Sequence, residues 1–167
     1  MKRLPVIGFG LLVLATVAAF FIIQHLKVST PLIAGNPSPF PSVINPLSGG
    51  TCPARTPHGS LAPVSFRRTS ISFYLLYRSD VVDVYVVTAA GAVVATLSRG
   101  VFMPAAPNPV TRQFTWDGRT STGRLAAPGK YYFRVVLRRQ NRTIDITNSK
   151  GELEWVTVRL SSSCPGA

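Results

Sequence analysis

Histidine is nearly absent from this sequence, and negative charge is scarce. His25 and His58 are its two imidazoles. Both precede the stretch with strand patterning, so general acid–base work or a Ser-His-Asp arrangement has no histidine to use there. Six acidic residues stand against eighteen basic ones, for a net charge of +12. Asp80 and Asp83 come nearest to a cation site, but calcium wants six or more oxygens at one point. Asp117 is claimed by a turn, while Glu152 and Glu154 are expected on one solvent-facing side of a strand. Ser161-Ser162-Ser163 reads as a tail rather than a nucleophile. No catalytic, metal or cofactor site is expected, and the chain reads as a non-enzyme.

Cysteine is almost as rare. Cys52 and Cys164 bracket the strand-rich region, with no second cysteine or histidine spaced to complete a zinc site. In an oxidising compartment they could close a disulfide; in a reducing one they would stay free thiols. After the first 27 residues no amphipathic helix appears, which leaves strands and loops.

Those first residues are different. Lys2-Arg3 precedes an uncharged apolar run from Leu4 to Ile23, and about 20 helical residues reach roughly 30 Å, the thickness of a hydrocarbon core. The basic residues favour a cytoplasmic N-terminus. An uncleaved single-pass anchor over residues 1–27 is expected, with a cleaved signal peptide as the competing reading around Val17-Ala18-Ala19. Either one exports the rest of the chain. From 28 to 63 eight prolines punctuate the sequence, and an extended, polyproline-like linker is expected.

Strand patterning begins near residue 64. Strands are expected at Ser70–Tyr77, Val81–Val87, Ala92–Leu97, Val110–Trp116, Lys130–Arg138, Thr143–Ile146 and Leu153–Leu160. Asp80, Ala89-Ala90-Gly91, Asp117-Gly118, Gly123, Pro128-Gly129 and Asn148–Gly151 supply turns. About seven short strands with turns every 8–12 residues predict an all-β sandwich over 64–164, followed by a tail at 165–167. In the fifth strand Tyr131, Phe133, Val135 and Leu137 alternate with Tyr132, Arg134, Val136 and Arg138, the period of a half-buried strand. Trp116, in alternation with Phe114, reads as core rather than as a sugar-stacking platform.

The stretch W-D-G-R-T-S-T-G-R-L-A-A-P-G-K-Y-Y-F-R, from Trp116 to Arg134, resembles the Ig-like domain of the flagellar hook-capping protein (the FlgD type). Val82–Val87, Gly91 and Ala92–Leu97 resemble its preceding hairpin. The likeness runs over about Ser70 to Ile146, departing at Thr88, where the family commonly has Asp, and in the longer loop Gly100–Pro109. It implies an Ig-like, fibronectin-III-like sandwich in which Trp116, Asp117, Gly118, Gly123, Pro128, Gly129 and Tyr131 determine the fold. The module also occurs in secreted and surface-attached bacterial proteins. No catalytic residue carries over, and nothing here matches the other regions of the hook-capping protein.

A basic exterior can serve nucleic acid, an anionic envelope polymer or lipid headgroups, or simply keep a protein soluble. No basic run is interleaved with aromatics as in nucleic-acid grooves, so nucleic acid is not expected. Arg134, Arg138, Arg139 and Arg142 form the candidate anion-binding surface, against the plainer reading of a solvated strand and hairpin tip. The expected protein is a single-pass membrane protein of the bacterial envelope with its domain outside. It would act non-catalytically in support or in docking a protein partner. A polyanion-binding surface protein and an accessory subunit of a secreted enzyme are the alternatives.

Overall fold

Leucine, alanine, valine and phenylalanine without a charge or an internal proline favour an uninterrupted helix after Pro5, where a proline costs little. The computed structural model describes residues 4–29, 31–47, 51–56 and 58–160. Helix α1 spans Leu4–Ser29, within a unit of its own that ends at Leu32. Its side chains are described over residues 9–22, about 21 Å of helix at 1.5 Å per residue. Phe9, Leu12, Leu14 and Phe21 are all exposed, and the Thr16 hydroxyl donates back to the Leu12 carbonyl at 2.9 Å. Among the described residues no helix is long and apolar enough to cross a membrane. The anchor expected over residues 1–27 thus finds no support among the described residues.

The second unit begins at Ile33. Its described strands are β1 (Ile33–Phe40), β2 (Val43–Ile44), β3 (Thr51–Arg55), β4 (Leu61–Ser65), β5 (Thr69–Leu75), β6 (Asp80–Thr88), β7 (Val93–Met103), β8 (Arg112–Trp116), β9 (Gly129–Leu137), β10 (Arg142–Asp145) and β11 (Val156–Val158). One sheet has the order β1-β5-β8. A larger one runs β2-β11-β9-β6-β7, with β10 also paired to β9, and β3 and β4 form a separate hairpin. The pairings are antiparallel except that of β2 with β11, which is parallel. The chain thus pairs first with β5 and, after Pro41, with β11 of the other sheet.

The expected strands from Ser70 onward are present as β5 to β11, so the all-β architecture stands. Boundaries move: the return strand after Gly91 continues to Met103, and the last strand shortens to three residues. Glu152 and Glu154 precede that strand instead of lying in it. The larger correction concerns residues 28–63, expected as a linker, which contribute β1 to β4. Proline withholds an amide from a ladder, so a central strand excludes it while an edge strand or two-stranded hairpin tolerates it. β1, carrying Pro37 and Pro39, lies at a sheet edge, and its register slips between Asn36 and Phe40. Pro53 sits opposite Pro63 in the two-stranded hairpin.

The core follows the alternation. Val82, Val84, Val86, Phe133, Val135 and Leu137 are fully buried, and Phe73 stacks on Phe114 with centroids 5.2 Å apart. Trp116 is 1% exposed, packs edge-on against Tyr131 at 5.1 Å, and donates its indole N–H to the Arg119 carbonyl at 2.7 Å. Burying an aromatic side chain of about 200 Å² is worth about 5 kcal/mol. The Tyr131 hydroxyl reaches back to the Ala127 carbonyl at 2.7 Å, the tie of a tyrosine corner at a sandwich strand. Tyr132, on the opposite face of β9, is buried as well, because Trp155 lies edge-on to it at 5.6 Å and Arg134 covers its ring.

Candidate functional site

Three turns place the polar groups near Trp116. Asp117 accepts the Arg119 amide at 3.1 Å, which closes the turn around Gly118. Gly118 has φ +75°, and a Cβ there would collide with Cγ of Pro46. Glycine is required at that position by both backbone and space. Gly123 also has positive φ, and its carbonyl accepts from an Arg119 Nη at 2.8 Å. Pro128-Gly129 delivers the chain into β9 directly below the Tyr131 tie. Trp116, Asp117, Gly118, Gly123, Pro128, Gly129 and Tyr131 thus lie along one path from β8 to β9.

The four arginines expected to grip anions are not gathered for that purpose. Arg134 is held by both oxygens of Asp145, at 2.6 and 2.9 Å, and also donates to the Tyr132 hydroxyl. The Asp145 bonds and charge raise the pKa of its guanidinium above the ordinary value, against the effect of burial. Arg138 donates Nε to Asp83 at 2.8 Å. The Arg139 guanidinium lies over the Phe102 ring at 5.6 Å. Arg142 opens β10, where it pairs across from Leu137. Two of the four therefore spend their best donors on carboxylates of neighbouring strands.

Asp80 and Asp83, on β6, are buried structural acceptors. Asp83 accepts from the Gly100 amide at 2.6 Å, the Tyr85 hydroxyl at 3.1 Å and Arg138. Burial pushes its carboxyl pKa up, but Arg138, Gly100 and Tyr85 together hold it below the usual carboxylate value. The same burial, with Asp83 beside it, raises the Tyr85 phenol. Asp80 accepts the amides of Val81, Arg139 and Gln140 at 2.6, 2.8 and 3.1 Å, fastening the β9–β10 turn to the start of β6. The Val82/Val84 register shift in the β6–β7 ladder falls beside Gly100, whose amide meets Asp83. Among the described residues no group of three or more His, Cys, Asp or Glu side chains could hold a metal ion.

A different basic group surrounds an open hollow. Arg67, Arg68 and Arg119, with Asp117 and Pro46, line a cleft of about 310 Å³. Arg67 and Arg68 precede β5, and the Thr69–Trp116 register sets them beside the turn that carries Asp117 and Arg119. Among the described residues neither Arg67 nor Arg68 has a carboxylate partner. The sequence held a signal in the Arg67-Arg68 pair and in Arg119 directly after W-D-G. Nothing local announced that strands more than forty residues apart would bring them together. A second hollow, of about 450 Å³, lies among Pro39, Phe40, Pro41, Phe66, Arg55 and Arg159 and other residues of the β1–β4 region.

Cys52, on β3, is 5% exposed, and among the described residues there is no free thiol. Its expected partner Cys164 lies outside the described residues, as does the tail at 165–167. His58 sits exposed in the β3–β4 turn. Residues 64–141 match the family described as the FlgD Ig-like domain, and no curated protein matches the chain. The matched span carries β5 to β9, the path from Trp116 to Tyr131 and the three arginines of the cleft.

Proposed function

We propose, on the premise that residues 64–141 of this chain are a FlgD Ig-like domain, that the protein is a non-catalytic support or docking module of a bacterial envelope. The matched family is an Ig-like structural domain, not an enzyme family. The carrying observation is the use to which the acids are put. All six acidic side chains have hydrogen-bond partners within the fold. Asp80 and Asp83 fasten loops, Asp145 holds Arg134, Asp117 closes its turn, Glu152 meets Asn148 and Glu154 meets Ser38. A general acid or base needs a group free to exchange its proton with a substrate. Asp80 and Asp83 are buried in their bonds, Asp145 is taken up by Arg134, and the exposed Asp117 and Glu152 serve turns.

The module is held outside the membrane by the apolar N-terminal segment, with a bond between Cys52 and Cys164 closing the folded unit. The uncharged run Leu4–Ile23 and the absence of a free thiol at Cys52 support this arrangement. Thiol labelling of intact cells with non-reducing mass spectrometry of the full chain tests it. The expected result is one species that retains Met1–Ile23 and carries a Cys52–Cys164 bond. Two free thiols shielded from an impermeant reagent would overturn the topology.

A further inference from the structure

We infer that the cleft between Arg67, Arg68 and Arg119 binds a phosphate group, carried on a lipid headgroup or free in solution. The inference goes beyond a support role and stands on the Ig-like unit alone, so it holds or falls independently of the membrane anchor.

Three features carry it. The first is charge: three guanidinium groups face one carboxylate, Asp117, around a hollow of about 310 Å³. That leaves an excess of two positive charges, matching a phosphate dianion. Each guanidinium presents a planar fork of N–H donors that meets two oxygens at a time. Three forks suit a group with several acceptor oxygens better than a carboxylate with two.

The second feature is that these donors have remained open in a protein whose other acids are spoken for. Arg134 and Arg138 have carboxylates at 2.6 and 2.8 Å. Arg67 and Arg68 have none among the described residues. Arg119 is only partly engaged, with one Nη on the Gly123 carbonyl and Nε at 3.8 Å from Asp117. Holding unpaired like charges together costs free energy, which a bound anion would recover.

The third is that the backbone beneath these side chains is tied in place without a ligand. The Asn45 amide donates to the Phe66 carbonyl at 2.7 Å, tying the Pro46 segment to the residue that precedes Arg67. Gly118 lies so close against Pro46 that no Cβ fits between them. The Trp116 indole holds the Arg119 carbonyl, and the β5–β8 register holds Arg68 beside that turn. A backbone held in advance leaves only the side chains to be ordered on binding. Its volume is about that of ten liquid waters at ~30 Å³ each, at the small end of ligand sites. It takes a phosphate with part of its carrier.

The test is a titration of the ¹⁵N-labelled full-length chain in non-ionic detergent at constant ionic strength, following arginine Nε–H resonances. Inorganic phosphate represents the free ion, and glycerophosphoglycerol, the deacylated headgroup of phosphatidylglycerol, represents the lipid. At least one is expected to saturate the Arg67, Arg68 and Arg119 signals, and the tighter of the two identifies the source. Arg67→Ala and Arg68→Ala should each weaken binding about tenfold, equivalent to ~1.4 kcal/mol, with melting temperatures unchanged. Asp117→Asn should tighten it. Arg112→Ala, an exposed arginine away from the cleft, should leave it within about twofold. Failure of both ligands to saturate, or an equal loss in Arg112→Ala, would overturn the site and leave the support role untouched.

Discussion

The arginines on β9 and the arginines before β5 are the same side chain put to opposite uses. Arg134 and Arg138 reach across the sheet to Asp145 and Asp83, so their charge is spent on joining strands. Arg67 and Arg68 stand where the turn after the neighbouring strand supplies another arginine, Arg119, and one exposed carboxylate. The difference teaches that a basic count of this size does not locate a binding surface. Where acids are few, the arginines that acquire them become structure, and those left over define what the surface can attract.

The largest blow to that contrast is Asp83→Ala. It removes the acceptor of an amide, a phenol and a guanidinium together. A loss of about 2–3 kcal/mol is expected, given the usual cost of stranding buried partners, and is measured by denaturant unfolding. A change under about 0.5 kcal/mol would mean that the β9 arginines are as idle as those of the cleft.

Acid should act through the same group more gently. Asp83 has a lower pKa folded than unfolded, so the unfolded chain takes up its proton first. Its stabilisation is complete above an unfolded value of about 4 and is lost as pH falls through the folded value. Tyr85 and Tyr131 are raised, Tyr131 by burial and Tyr85 by burial and Asp83. Their contribution is whole below about pH 10 and disappears as pH rises through their folded values. A melting-temperature profile should be flat near neutrality and fall on both sides. Asp83→Asn should have a shallower acid limb, and an unaltered limb would remove Asp83 from the account.

The smallest effect belongs to the cleft. Arg67→Ala and Arg68→Ala should each change unfolding free energy by less than about 0.5 kcal/mol, as expected of exposed side chains with no carboxylate partner among the described residues. A loss as large as that of Asp83→Ala would show that these arginines also hold strands, and the contrast between the two groups would disappear.

Much of the fold could be read from local pattern. The alternation through Tyr131–Leu137 marks β9, the valines of β6 mark its buried face, and Asp117-Gly118 and Pro128-Gly129 mark chain reversals. Each of these signals lies within a few residues, where backbone sterics and side-chain period act. The Pro-rich segment was misleading because proline argues against a central strand, yet β1 needs only one hydrogen-bonded side. Asp83, which the sequence offers only as a weak cation candidate, is buried because Gly100, Tyr85 and Arg138 donate to it. The cleft was hidden for a related reason: Arg68 and Arg119 become neighbours only through the register of β5 on β8.

By itself, then, the sequence determined the strand-rich class, the turn path from Trp116 to Tyr131, and an excess of arginine over acid. These follow from short-range periodicity, backbone preference and composition, which need no knowledge of distant partners. Tertiary structure alone decided that β1 and β2 join the two sheets, that Asp83 and Asp145 neutralise Arg138 and Arg134, and that Arg67, Arg68 and Arg119 face one hollow. Pairing between strands far apart in sequence fixes which charges meet. No local pattern encodes that choice, because it depends on the register of whole strands and not on any one residue's preference.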